Sequence, residues 1–209
     1  MKHSVIYTDT EGRYFRFSGG TWAWRNHNLG NVRPKRHGKF KNQIGVTKHL
    51  VIFSDDQSGH EALIEVLKTV YGNSSIDQMI EKYAPPIENP TKKYAKLLHE
   101  KTGVMDNTKI QDFTEDQFEK LWKAVQQMEG YKPGVITELF HIDGIQIIKN
   151  QGYQFHLNEN NWISTAECIA LAKQGKVELE VCISQMGSTF LRSPPNSYFQ
   201  TKLKDLIRK

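Results

Sequence analysis

The chain carries only two cysteines, Cys168 and Cys182, in 209 residues, too few for a disulfide framework or an all-cysteine metal site. Both fall in half-apolar segments, where free buried thiols are expected. No apolar run reaches the ~18 residues that a membrane-spanning helix needs, so no membrane span is expected. The start, Met1-Lys2-His3-Ser4-Val5, lacks the apolar stretch of a secretory signal. A cytoplasmic product is expected, and work elsewhere would need another carrier. His27, His37, His49 and His60 show no metal-ligand spacing such as His-Glu-x-x-His, and no glycine loop suits a phosphate. Neither a metal nor a cofactor is expected. Acidic residues are also missing throughout 25–48.

That same stretch holds Arg25, Arg33, Lys35, Arg36, Lys39, Lys41 and Lys48, and with them much of a net charge of +5. It makes a local positive field suited to an anionic partner: nucleic acid, a phospholipid surface or the carboxylate-bearing peptides of a bacterial wall. A solvated basic loop is the plainer alternative. No helix-turn-helix or RNA-binding signature accompanies the charges.

The length allows an ordinary domain plus a smaller one. Alternation at 5–8 and 13–17 around Thr10-Glu11-Gly12 predicts a β-hairpin. Ser58 with Glu61 reads as a helix capping box before Ala62, Leu63, Val66, Leu67 and Val70. A second helix follows Ser75 and must stop at Pro85-Pro86. A third starts at Asn89-Pro90-Thr91 and stops at Gly103. A fourth runs from Thr114 to Glu129-Gly130. Beyond Lys132-Pro133-Gly134 the pattern turns to strands near 135–139, 146–149, 153–157, 177–183 and 189–192, with a helix after Ser164. The boundary therefore falls near Gly134, giving domains 1–134 and 135–209.

Two stretches contain almost nothing suited to a core: Trp24-Arg25-Asn26-His27-Asn28-Leu29-Gly30-Asn31-Val32-Arg33-Pro34 and Tyr83-Ala84-Pro85-Pro86-Ile87-Glu88-Asn89-Pro90-Thr91. Amides, guanidinium and carboxylate on Gly- and Pro-shaped backbone read as ordered, ligand-facing loops. The first resembles the Arg-Asn-Asn-Asn-Pro-Gly-Asn-Ile-Arg loop of a phage and bacterial lysozyme-like "structural protein" family, with His27 in place of an Asn and Leu29 in place of the Pro. Ile52-Phe53 to Gly59, Tyr83-Ala84-Pro85-Pro86, Tyr94, Thr102-Gly103 and Met128-Glu129-Gly130 continue the likeness over about residues 14–134. Residues from about 136 to 207 resemble a small bacterial domain of unknown function, through Trp162-Ile163-Ser164 to Glu167, Gly175-Lys176-Val177 and Leu191-Arg192-Ser193-Pro194-Pro195.

The resemblance implies an α+β chain: a mainly α-helical, lysozyme-like N-terminal domain with a short β-hairpin, and a small β-rich α/β C-terminal domain. It implies cleavage of peptidoglycan glycan strands by a muramidase, glucosaminidase or lytic transglycosylase. Peptidoglycan or another anionic glycan would be the partner, with an immunity or secretion partner beside it. Delivery would be by a non-signal-peptide route or in a phage particle.

Such chemistry asks for a carboxylic acid of raised pKa, and Glu129 and Glu88 are the candidate catalysts. Glu129 ends an amphipathic helix; Glu88 and Asn89 stand before a helix start, where capping is the competing role. Arg25, Asn26, Asn28, Asn31, Asn89, Tyr94 and Trp24 are the candidate substrate-binding residues, and bracing of the loop is the structural alternative for the amides. A noncatalytic wall-binding or phage and secretion structural protein, and a nucleic-acid-binding protein using 25–48, are the competing classes.

Overall fold

The computed structural model describes residues 4–87, 90–150, 152–157, 161–200 and 202–207, and these group into two compact units. The chain opens with β1 (Ser4–Thr8) and β2 (Tyr14–Ser18), a short α1 (Trp22–Arg25), then β3 (Gln43–Thr47) and β4 (Leu50–Phe53). Helices α2 (Asp56–Thr69), α3 (Ile76–Tyr83), α4 (Thr91–Thr102) and α5 (Glu115–Glu129) follow. The remainder comprises β5 (Val135–Leu139), β6 (Ile142–Ile148), β7 (Gly152–Leu157), β8 (Asn161–Ser164), α6 (Thr165–Lys173), β9 (Glu180–Ile183) and β10 (Thr189–Arg192). Among the described residues no helix is long and apolar enough to cross a membrane.

The first unit, Gly19–Gly134, contains α1 to α5 and the antiparallel ribbon β3-β4. Helix starts in this unit are set by side chains that accept otherwise unpaired backbone N–H groups. Ser75 with Gln78, and Thr114 with Gln117, form reciprocal capping boxes on α3 and α5. Helix α2 begins earlier than the Ser58/Glu61 pattern predicts. Asp55 is its cap, accepting from the Ser58 backbone N–H at 2.7 Å. The Ser58 hydroxyl instead accepts from Asn42 Nδ2 at 3.0 Å. Helix α3 ends at Ala84, ahead of Pro85, and the Thr91 hydroxyl at the head of α4 donates to the Ala84 carbonyl at 2.5 Å.

These helices and β4 close over one core, in which Phe53, Leu63, Leu67, Ile76, Met79 and Leu121 are fully buried. Each such side chain contributes about 1.5–3 kcal/mol relative to exposure. Helix α2 approaches the polar loop after α1 so closely that a Cβ on Gly59 would lie 1.8 Å from the His27 carbonyl oxygen.

The second unit joins Ser4–Ser18 to the chain from Val135 onward. Strand β2 is the centre of a three-stranded antiparallel sheet, β1-β2-β5, with Tyr14 opposite Leu139 and Ser18 opposite Val135. Arg16 on β2 donates to the Gly175 carbonyl at 3.1 Å and pairs with Glu178 at 3.0 Å. A second antiparallel sheet, β6-β7-β8, packs with α6 around Ile145, Phe155 and Cys168, while β9-β10 forms a separate ribbon.

The expectation of a mainly α-helical, lysozyme-like N-terminal domain carrying the hairpin is therefore corrected. The chain is mixed, 35% helical and 25% strand, with six helices and four small sheets among the described residues. The alternation in β1 and β2 was sufficient to predict a hairpin, but alternation does not name the third strand. Here that strand is β5, and the hairpin packs with the later strands. The helical unit has its own ribbon instead. Strand β3 escaped the sequence pattern because Gln43-Ile44-Gly45 carries a register shift that breaks the period of two.

Replacing Gly59 by Ala should cost at least about 1–3 kcal/mol in urea denaturation, because the clash is with backbone rather than a movable side-chain end. A variant as stable as the parent would show that α2 and the loop do not meet in this way.

Candidate functional site

The loop that follows α1 is fastened by Asn28. This buried amide donates to the carbonyls of Val32 and Val51, both at 2.9 Å, and its Oδ1 accepts from the Val32 N–H at 2.7 Å. Val32 is thereby fixed to β4, and the residues on either side of it are aimed. Before it, Asn31 takes a left-handed backbone, φ 45°, which asparagine tolerates better than most residues. Its Nδ2 donates to Glu129 Oε2 at 2.6 Å. After it, Arg33, Lys35 and Arg36 form the edge of a cleft of about 400 Å³, within the usual range for a small-ligand site.

Glu129 reaches this cleft from the last turn of α5, where Gly130, with φ 67°, turns the chain out of the helix. The cleft floor is apolar, built by Val32, Phe40, Leu50, Val66 and Tyr71. Tyr83, the last residue of α3, closes the wall next to Glu129 and donates its hydroxyl proton to the Gly30 carbonyl. Among the described residues that line the cleft, Glu129 is the one carboxylate, while Arg33, Lys35, Arg36 and Lys82 are cationic.

Burial pushes the Glu129 pKa above its ordinary value, and hydrogen bonds from Asn31 and Tyr83 only partly offset it. Burial, followed by the charge of Glu129, pushes the Tyr83 phenol well above its usual range, so Tyr83 keeps its proton. That single proton serves the ionised Glu129 or the Gly30 carbonyl, and it goes to Gly30 when the acid is neutral. A protonated Glu129 can therefore use the Tyr83 oxygen as an acceptor, which suits a neutral acid in this position.

A second acid behaves oppositely. The Asp56 carboxylate accepts from His27 Nδ1 at 2.7 Å and from the Tyr131 hydroxyl at 2.6 Å. Burial acts to raise its pKa, but these bonds and His27 prevail and hold it below the usual range. Asp56 thus ties the loop before Asn31 to the chain just beyond Glu129.

The residues singled out in the sequence divide sharply. Glu129 and Asn31 are brought together. Arg25, Asn26, Asn28, Trp24 and Tyr94 are not among the described residues that line the cleft. Arg25 is buried, lies 4.3 Å over the Trp22 ring and donates to the Gly19 and Gly20 carbonyls. Trp24 is buried with it, Asn28 is the brace described above, and Tyr94 packs against the helical core. Asn26 is wholly buried, its carbonyl accepting from Phe53 N–H at 3.0 Å and its side-chain amide meeting no hydrogen-bonding partner among the described residues. Glu88 and Asn89 lie outside the described residues. Tyr71, Tyr83 and Lys82 are the additions. Tyr83 stood in the polar stretch but read as a helix residue, and only its position immediately before the Ala84-Pro85-Pro86 stop hinted at a wall. Arg33, Lys35 and Arg36 belonged to the basic run without being assigned to a site.

Compared with known proteins, the chain matches no family model and no curated protein.

A carboxyl whose pKa is raised by folding binds its proton more tightly in the native state. Stability is then full below the ordinary value of 4.5 and falls as pH rises through the native pKa. Glu129→Gln removes that loss. Its melting temperature should match the parent's near pH 4 and exceed it progressively toward pH 8; a pH-independent difference would contradict the raised pKa.

Proposed function

We propose that the Gly19–Gly134 unit cleaves the glycan strand of peptidoglycan, with Glu129 as the general acid. The observation that carries this reading is one half-buried carboxyl of raised pKa, held by Asn31 and Tyr83, at the wall of an apolar-floored cleft. A glycosidic oxygen must gain a proton as its bond breaks, and a neutral carboxyl near working pH supplies it. The loop resemblance set out above points to the same substrate. Carriage by a secretion machine or a phage particle belongs to this proposal, as does an immunity partner.

Among the described residues that line the cleft Glu129 is the one carboxyl, which favours one version of the chemistry. Hydrolases of this kind generally set a second carboxylate across the sugar, as nucleophile or water activator. In that version Glu129 gives its proton to the leaving oxygen, and the C1–O bond breaks with its electron pair departing on that oxygen. The resulting carboxylate then takes the proton of the sugar's own C6 hydroxyl as that oxygen bonds to C1. The product is an anhydro sugar, and the acid is restored.

Incubation with murein sacculi should release soluble muropeptides lighter by one water than hydrolysis products, as read by mass spectrometry. Glu129→Gln should lower release about 10²–10⁴-fold, the usual contribution of a positioned acid. Co-sedimentation with sacculi of several chemotypes without any product would replace this reading by a noncatalytic binding protein.

A further inference from the structure

The rim of the cleft carries a distinct chemical signal. Lys82 projects from the last turn of α3, and Arg33, Lys35 and Arg36 come from the loop fixed at Val32. Lys35 is occupied, since its Nζ lies 2.5 Å from Glu65 Oε1 and 4.3 Å from the Phe40 ring centre. It therefore pins the loop a second time, between Arg33 and Arg36. Both arginines and Lys82 are exposed. The Arg33 charge is close enough to act on the Tyr71 phenol in the cleft floor, where it opposes the upward push of burial.

Cations on both sides of one cleft, with one acid among the described lining residues, leave a lining whose charge is mainly positive. A neutral N-acetylglucosamine polymer gains nothing from such a rim. An amino-bearing, cationic glycan is repelled by it. Arginine in particular reads carboxylate through two parallel hydrogen bonds, which fixes orientation as well as attraction.

The geometry points to a carboxylate-binding subsite formed by Arg36 and Lys82 beside Glu129, taking the acid groups that substituents of the glycan carry near the scissile bond. This rests on the glycan reading above and deepens it by naming what the substrate must bear. Two sources share the chemistry: the free lactyl carboxylate of a strand stripped of peptide, and the carboxylates of the stem peptide on an unstripped one. The pinned loop presents Arg36 from a fixed backbone, so less ordering is required on binding than for a cation on a free loop.

Binding is measured with the Glu129→Gln protein, so that cleavage does not intervene, against peptide-bearing strands, stripped strands and neutral N-acetylglucosamine oligosaccharides. Charged strands should bind more tightly than neutral ones. The double variant Arg36→Glu/Lys82→Glu should lose about tenfold or more on charged strands, the equivalent of ~1.4 kcal/mol, with neutral strands unaffected. Lys123→Glu, an exposed charge change on α5 that does not line the cleft, controls for net charge and should leave the preference intact. The stripped and peptide-bearing arms show which carboxylate is read. Equal affinity for charged and neutral strands, equal loss in the Lys123→Glu control, or tighter binding to duplex DNA with a steep salt dependence overturns the subsite. Cleavage of neutral strands by the parent protein as fast as charged ones also overturns it while leaving glycan cleavage standing. Selective binding of charged strands without any cleavage upholds the subsite and removes the enzymatic reading.

Discussion

The arrangement of the first unit depends on one buried amide. Asn28 spends its donors and acceptor on Val32 and Val51, converting a segment with no regular structure into one as fixed as the ribbon beside it. An amide left unpaired in a core costs about 1–3 kcal/mol, so the loop has little freedom to drift while Asn28 is in place. Everything chemically interesting is referred to that point. Asn31 is one residue before the brace and meets the acid; Arg33 is one residue after it and faces solvent. A shift of two residues in this register would exchange an amide for a guanidinium at Glu129.

The acid itself is a balance between two opposed influences. Removing a carboxylate from water favours the neutral form, while donors aimed at it favour the ion. Here burial wins over the Asn31 and Tyr83 bonds. The rim cations do not reverse the result because they stand in solvent, where water and salt screen them. Exposed cations at the rim thus coexist with an acid whose pKa is raised, two features that would conflict if the cations were buried beside the acid. Folding is made less favourable above the native pKa of Glu129, an expected expense of holding an acid ready for chemistry.

Helix positions were largely legible in the sequence, because capping residues and proline or glycine stops are local signals. Ser75, Thr114, Ser164, Gly103 and Gly130 all stand where their chemistry places them. The start of α2 was not, since Asp55 and Ser58 are both competent caps and tertiary contact with Asn42 decides between them. Sheet membership was hidden for a different reason. The partner of β2 is more than a hundred residues away in sequence, and nothing in Tyr14–Ser18 identifies Val135–Leu139 as its mate. At the site, residue type suggested ligand contacts for every amide of the loop, yet an asparagine that braces and one that faces a cleft are indistinguishable without the fold. Glu129 was recoverable from its place at a helix end; Tyr83 and Lys82 were not, because a tyrosine and a lysine ending a helix are ordinary.

Asp56 and Glu129 are displaced from ordinary carboxyl behaviour in opposite directions, one toward the ionised form by its donors and the other toward the neutral form by burial. Between their two transitions lies an interval of acidity in which the link holding His27 and Tyr131 is charged and the cleft carboxyl still carries its proton. Outside that interval the unit changes in two dissimilar ways. Toward acid, the tether between the loop and the end of α5 is neutralised while the cleft carboxyl remains protonated, so the change is mechanical. Toward alkali, the tether holds but the proton is gone, so the change is chemical. For the general acid proposed above, this sets a working range whose lower edge belongs to architecture and whose upper edge belongs to reactivity.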